Sequence, residues 1–122
     1  QPPIVIITSN RTREIHDALK RRCFYHWIDY PDEEKELAIV HARLPHIPEA
    51  LARQVVAFVH VLRSEELYKL PGVAETLDWL AALGALEQTS LSEPAAAATL
   101  GALLKTREDI QRTQAILPTL LT

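Results

Sequence analysis

The sequence lacks methionine and has a single cysteine among its 122 residues. Cys23 cannot form a disulfide within the chain, and it has no second cysteine with which to build a zinc site. Because unpaired cysteines are usual in a reducing compartment, we expect a cytoplasmic protein. The chain begins at Gln1 and runs directly into apolar residues. We therefore expect it to be a fragment of a longer protein.

Long apolar runs and glycine-rich loops are also missing. No segment approaches the roughly 18 consecutive apolar residues that cross a bilayer, and the N-terminus lacks the basic and then apolar pattern of a secretory signal. The three glycines, Gly72, Gly84 and Gly101, are isolated, and the sequence contains neither GxxxxGK[ST] nor GxGxxG. These features predict a soluble chain with no phosphate-binding loop of its own.

Histidine is present, but its spacing does not indicate a metal site. The five histidines are His16, His26, His41, His46 and His60. None belongs to an HExxH pattern, so surface or half-buried positions are the expected ones. We predict no bound metal ion in this chain.

Charge is small overall and uneven along the chain. The net charge is −3, which argues against general nucleic-acid binding. Residues 11–22 nevertheless hold five cations against two acids, a local charge of +3 that leaves −6 for the rest. Three of these cations, Lys20, Arg21 and Arg22, are consecutive. Cations at the end of a helix face solvent or a negative group from another molecule.

Residues 1–31 have the pattern of a strand, a short helix and a second strand. "PIVIIT" at residues 3–8 is a β-branched run typical of a strand buried on both faces, and "FYHWIDY" at residues 24–30 is rich in aromatics and ends at Pro31. We predict a βαβ unit, the remnant of a parallel α/β sheet. Two strands alone are marginally stable, so we expect them to pair with another copy, to swap, or to be poorly ordered.

Residues 32–122 show helical periodicity and no strand pattern. Asp32, Ser92 and Thr106 are predicted N-caps, Asp109 is the capping-box partner of Thr106, and Pro118 is expected to end the last helix. The predicted inward positions are Leu37, Val40 and Leu44; Leu51, Val55, Phe58, Val59 and Leu62; Val73, Leu77, Leu80 and Gly84, with Trp79, Leu83 and Leu86 beside them; and Ile110, Thr113 and Leu117. The predicted fold class is mostly α, a bundle of about five helices preceded by the βαβ remnant.

The segment "IVIITSNRTREIHDALKRRC" resembles the AAA+ ATPases, most closely their MoxR branch and the members associated with carbon monoxide dehydrogenase maturation. In that family a buried strand ends at a sensor residue, a short helix carries an arginine finger, another strand follows, and the chain enters a helical lid. By this resemblance Asn10 is the sensor-1 residue, Arg22 is the arginine finger, and Arg21 is the second candidate for the finger. Residues 1–31 would end the nucleotide-binding subdomain, and residues 32–122 would form the lid.

The chemistry of these residue types suits the implied roles. A side-chain amide both donates and accepts hydrogen bonds, so Asn10 could orient a water for attack on a γ-phosphate. An arginine at the edge of a subdomain can clamp the phosphate bound by the adjacent subunit of a ring. The three adjacent cations would then face a triphosphate held by a neighbour.

The resemblance also implies ATP and Mg²⁺ as cofactors of the intact protein, a hexameric ring, chaperone-like remodelling or maturation of a client, and a von Willebrand factor A domain partner. Without a phosphate loop, the chain by itself is expected to hold no cofactor and to be inactive. One position departs from the family, because the second sensor of the lid is usually an arginine and the matching residue here is Ala74. Glu75 beside it has the wrong sign for a phosphate, so we expect nucleotide sensing by the lid either to be lost or to be supplied by Lys69 just upstream.

A different class of function is also open. The chain could be a helical binding module whose basic segment contacts nucleic acid or an acidic protein, with an affinity that falls steeply with salt. The mild overall acidity and the lack of aromatics among those cations favour the ATPase interpretation. We expect no membrane partner.

Overall fold

The computed structural model describes residues 2–8, 17–24, 26 and 28–121. These residues form six α-helices and no β-strand. The helices are α1 (Asp17–Lys20), α2 (Glu33–Arg43), α3 (Glu49–Leu62), α4 (Val73–Ala85), α5 (Glu93–Leu103) and α6 (Arg107–Leu120). The prediction of a mostly α fold with five helices after residue 32 is confirmed.

The predicted βαβ remnant is not seen in the described residues. Residues 3–8 form no strand, and their apolar side chains are open to solvent, with Ile4 94% and Ile6 84% exposed. The described residues of the second predicted strand also lack strand structure, and α1 has only four residues. A strand needs neighbours to satisfy its backbone groups and to cover its faces, and the sequence pattern offers only two strands. The described part of this chain therefore does not build the unit by itself.

A helix begins soon after Pro31. The side chain of Asp32 accepts a hydrogen bond from the backbone N–H of Lys35 at 2.8 Å, as predicted for an N-cap. The acidic first turn that follows complements the positive end of the helix dipole. Asp32 is thus the first residue of the helical unit, residues 32–121.

One hydrophobic core serves the helical unit, and α3 contributes most of it. Seven of the 14 residues of α3 are buried, including all five predicted inward positions. α3 packs against α2 and α4, α4 also packs against α5, and α5 packs against α6. The buried apolar residues are Val40, Leu51, Ala52, Val55, Val56, Phe58, Val59, Leu62, Trp79, Leu80, Leu83, Leu91, Ala96, Leu100, Leu103, Leu104 and Leu117.

Trp79 connects three helices within this core. Its ring centroid lies 5.2 Å from that of Phe58 in α3 at an interplanar angle of 56°, a favourable tilted arrangement. Its indole Nε1 donates to Thr99 Oγ1 in α5 at 2.7 Å. The second inward stripe of α4 is therefore confirmed at Trp79 and Leu83. The prediction is wrong at Leu86, because this residue lies beyond the last turn of the helix and is 55% exposed.

α6 begins as predicted and ends later than predicted. Thr106 Oγ1 accepts a hydrogen bond from the backbone N–H of Asp109 at 3.2 Å. Pro118 does not end the helix, which continues to Leu120. A proline in the last turn removes only one backbone N–H, so a few more helical residues can follow it.

Thr113 allows the cost of burying an unpaired hydroxyl to be measured. Its hydroxyl is the only buried side-chain nitrogen or oxygen in the described residues that lacks a hydrogen-bond partner. Replacing it with valine should raise the free energy of unfolding by about 1 kcal/mol, because a desolvated hydroxyl is removed while the shape is kept. Urea denaturation with an unchanged m-value checks this expectation.

Thr99→Val is the matched control for that experiment. It should lower the free energy of unfolding by about 1–3 kcal/mol, because the buried indole N–H of Trp79 would lose its acceptor. The same sign of change for both substitutions would contradict the expected difference between a paired and an unpaired hydroxyl.

Candidate functional site

The predicted finger residues lie on a short exposed turn. After α1, the backbone N–H of Arg21 donates to Asp17 O at 3.0 Å and that of Arg22 donates to Leu19 O at 3.1 Å. Both arginines are exposed, and no residue of α1 is buried. They are therefore accessible to another molecule, while their catalytic role stays a prediction.

The other predicted site residues lie elsewhere. Asn10 falls outside the described residues. Lys69 is exposed on the α3–α4 loop, residues 63–72, and Ala74 is exposed in the first turn of α4. Among the described elements, α1 has no extensive packing against the longer helices. The arginine pair thus follows α1 along the chain, whereas Lys69 lies between α3 and α4.

The α3–α4 loop is held in place from α6. Asp109 Oδ1 accepts the backbone N–H of Tyr68 at 2.8 Å, and Asp109 Oδ2 accepts the backbone N–H of Lys69 at 3.0 Å. Asp109 is 1% exposed, and these two charge-assisted bonds offset the desolvation of its carboxylate. The predicted capping-box partner therefore uses both oxygens on the loop, and the backbone of Lys69 is fixed although the residue is exposed.

A second buried carboxylate, that of Glu36, lies where α2, α3 and α4 meet. Arg63, which follows α3, donates Nη1 to Oε1 at 2.7 Å and Nη2 to Oε2 at 3.1 Å. In α4, Thr76 Oγ1 donates to Oε2 at 2.7 Å, and His60 Nε2 of α3 lies 3.0 Å from Oε1. Glu36 is 0% exposed. Glu36, Arg63, Thr76 and His60 together form the Glu36 cluster. In this cluster each carboxylate oxygen of Glu36 has two partners.

The environment of Glu36 favours its ionised form. Burial by itself would raise the pKa of Glu36. The hydrogen bonds from Arg63 and Thr76, together with the charge of Arg63, outweigh burial and hold this pKa below its ordinary value. A carboxylate that is ionised, fully hydrogen-bonded and closed to solvent cannot reach the proton of a substrate. The Glu36 cluster therefore holds α2, α3 and α4 together and is not a catalytic site.

Sequence reasoning missed the Glu36 cluster, although part of its signal was present. Glu36 precedes the buried Val40 by four residues, and this spacing places it on the inner face of α2. His60 and Arg63 are three residues apart, so they lie near each other at the end of α3. Spacing within each helix does not say that the two helices meet at these residues.

A groove of about 560 Å³ lies between the α2–α3 connection and the C-terminal end of α4. Its lining includes His46, Ile47 and Gly84, and neither the arginine pair nor Lys69 takes part in it. In the described part of the chain, no three His, Cys, Asp or Glu side chains are grouped so that they could hold a metal ion. None of the described helices combines the length and apolar character needed to cross a bilayer.

Glu36→Gln tests the Glu36 cluster by keeping the shape of the side chain and removing its charge. We expect the free energy of unfolding at pH 7 to fall by about 3–5 kcal/mol, because Arg63 would remain buried without its counter-charge. Glu34→Gln on the exposed face of α2 is the matched control and should change it by less than about 1 kcal/mol, the share of one exposed charge at the start of a helix.

The pH dependence of the free energy of unfolding should also differ between the wild type and Glu36→Gln. Because the pKa of Glu36 is lower in the folded than in the unfolded chain, its contribution to the free energy of unfolding is complete above the ordinary pKa of a glutamate and is lost as the pH falls through the folded value. The stability difference between the wild type and Glu36→Gln should thus narrow in acid. A difference that stays constant from neutral pH down to the acid transition would contradict this linkage.

Comparisons of this chain with protein-family models, with curated proteins and with solved structures found no match. A functional assignment must therefore come from the residues and contacts described above.

Proposed function

We propose that this chain is the C-terminal part of a MoxR-like AAA+ ATPase. Residues 1–31 end the nucleotide-binding subdomain, and residues 32–122 form the helical lid. The intact protein hydrolyses ATP with Mg²⁺ as a cytoplasmic hexameric ring and uses this hydrolysis to remodel or mature a client protein complex. A protein with a von Willebrand factor A domain is its partner, and residues upstream of this chain supply the phosphate-binding loop.

The exposed arginine pair is the observation that carries this proposal. Arg21 and Arg22 lie on a solvent-open turn upstream of a self-contained helical unit that begins at Asp32. A guanidinium fork in such a place is free to meet the γ-phosphate held by an adjacent subunit, where it stabilises the charge of the transition state. Arg22 takes this role in the proposal, and Asn10 orients the attacking water.

The helical unit supports the assignment of a lid. It has its own core and its own N-caps, so it can act as one body beside a nucleotide-binding subdomain. Lys69 is exposed on a loop whose backbone Asp109 fixes, and a lysine can approach a phosphate as a point charge. Because Ala74 carries no charge, Lys69 is the lid cation that contacts nucleotide in this proposal.

The exposed residues 3–8 support a place in a larger sheet. Five of these six residues are β-branched and none is charged, which is the composition of a strand buried on both faces. Left without neighbouring strands, the same residues expose Ile4, Ile6 and Ile7 to water. In the intact protein the βαβ remnant would form against strands that lie upstream.

Arg22→Ala in the intact protein tests the finger. ATP hydrolysis should fall by a factor of about 10³ or more, because the transition-state charge loses its clamp, while nucleotide binding should be retained. Steady-state turnover and equilibrium binding of a fluorescent ATP analogue measure the two properties separately.

Arg43→Ala, which removes an exposed arginine from the last turn of α2, is the matched control and should leave turnover within a few-fold of the wild type. Rings that mix Arg22→Ala subunits with subunits lacking a working phosphate loop should regain activity, because each defect is complemented across a subunit boundary. Wild-type turnover by Arg22→Ala alone would exclude the finger assignment.

The 122-residue chain by itself gives a second test. It should show no ATP turnover with Mg²⁺ present, since no residue of the chain forms a phosphate loop. A phosphate-release assay checks this, and turnover that tracks with the purified chain would contradict the proposal. Salt-sensitive binding of the same chain to a nucleic-acid duplex would instead favour the binding-module interpretation.

A further inference from the structure

Arg63 is the most heavily engaged side chain of the Glu36 cluster. Besides its two bonds to Glu36, its Nε donates to the backbone carbonyl of Pro71 at 2.7 Å. The ring of Tyr30 covers one face of the guanidinium, with the ring centroid 4.5 Å from Cζ. The side chain of Arg63 is 7% exposed as a result. One cation thus contacts α2, the α3–α4 loop and the residue that leads into the helical unit.

The second half of the α3–α4 loop is held at two points. Asp109 binds the backbone N–H groups of Tyr68 and Lys69, and Arg63 binds the carbonyl of Pro71. A Cβ atom placed on Gly72 would lie 4.0 Å from Cε1 of Tyr30, so the tyrosine ring lies beside the end of this loop. Asp109 binds the backbone of Lys69, and Arg63, which the Tyr30 ring covers, binds Pro71 two residues further on.

We infer that Tyr30 is a positioning residue, which couples the direction in which the preceding chain enters the helical unit to the placement of the α3–α4 loop and of Lys69. The inference deepens the proposed function, on which it rests, by naming the contact through which the nucleotide-binding subdomain adjusts the cation of the lid. Tyr30 lies two residues before the N-cap Asp32, at the boundary between the two proposed subdomains.

The aromatic ring of Tyr30 carries the coupling through electrostatics and exclusion of water. A ring over a guanidinium attracts the cation and keeps water from that face, which strengthens the hydrogen bonds of the cation. When the ring is withdrawn, the single bond to the uncharged Pro71 carbonyl weakens first, because the bond to Glu36 is bidentate and charged on both sides. The loop then loosens at its Pro71 end while the Glu36 cluster persists.

Amide hydrogen exchange on the 122-residue chain tests the coupling directly. Tyr30→Ala should speed exchange about 3- to 30-fold at the amides of Tyr68, Lys69 and Gly72, the range that a lost cation–π contact gives. The amide of Leu104, which donates to Leu100 O at the end of α5, should not change. Tyr30→Phe keeps the ring and should match the wild type.

Phe24→Ala is the matched control, since it removes an aromatic ring from the same leading segment where the side chain is fully exposed. Its exchange pattern should equal that of the wild type. Wild-type exchange of the loop in Tyr30→Ala, or an equal acceleration at Leu104, would overturn the inference, because the first shows no coupling and the second shows only a loss of overall stability. A Tyr30→Phe variant that behaves like Tyr30→Ala would overturn the role of the ring.

Kinetics of the intact protein separate this inference from the proposed function. Tyr30→Ala and Lys69→Ala should both raise KM for ATP several-fold and leave kcat within about two-fold, whereas Tyr30→Phe should change neither. A loosened loop in the exchange experiment together with an intact wild type that has no ATPase activity would remove the proposed function and leave the coupling standing. Normal ATPase activity with unchanged KM in Tyr30→Ala would remove the coupling and leave the function.

Discussion

A carboxylate closed to water decides how α2, α3 and α4 meet. Burying the charge of Glu36 is unfavourable unless its oxygens are matched by donors, and the fork of Arg63 supplies the matching charge in a fixed geometry. Thr76 completes the set from α4. Apolar side chains tolerate small shifts between helices, but a bidentate ion pair does not. We therefore expect the Glu36 cluster to favour the one arrangement of the three helices in which these donors meet the carboxylate.

Two buried carboxylates together fix the backbone position of the α3–α4 loop. Glu36 acts through Arg63, whose remaining donor binds the Pro71 carbonyl, and Asp109 acts directly on two backbone N–H groups. A loop between two helices would ordinarily be more mobile than the helices that it joins. Here its backbone is tied at Lys69 and again at Pro71. In the proposed ATPase, a lid cation on such a loop approaches a phosphate with little loss of conformational entropy.

The helical unit and the segment before it differ in how far they depend on other segments for hydrogen bonds and packing. Each helix of the helical unit satisfies most of its backbone groups internally and needs only one face covered, which its neighbours provide. Residues 3–8 have the composition of a strand, and a strand depends on partners for every backbone bond. The described structure follows this difference, since five long helices share a core while Ile4 and Ile6 remain in water. The arginine pair lies between residues 3–8 and the helical unit, exposed on its turn.

The sequence by itself determined the helices, their N-caps and their inward faces, because these depend on periodicity and on hydrogen bonds between residues three or four apart. Asp32, Ser92 and Thr106 cap as their residue types predict, and every predicted inward position of α3 is buried. Sequence also singled out Arg21, Arg22 and Lys69 as accessible cations, although their functional roles rest on the proposal. The tertiary structure alone decided which carboxylates are buried and what they bind. Glu36 meets Arg63 across 27 positions, and Asp109 meets Tyr68 across 41 positions, because helix packing brings together groups whose spacing along the chain carries no period.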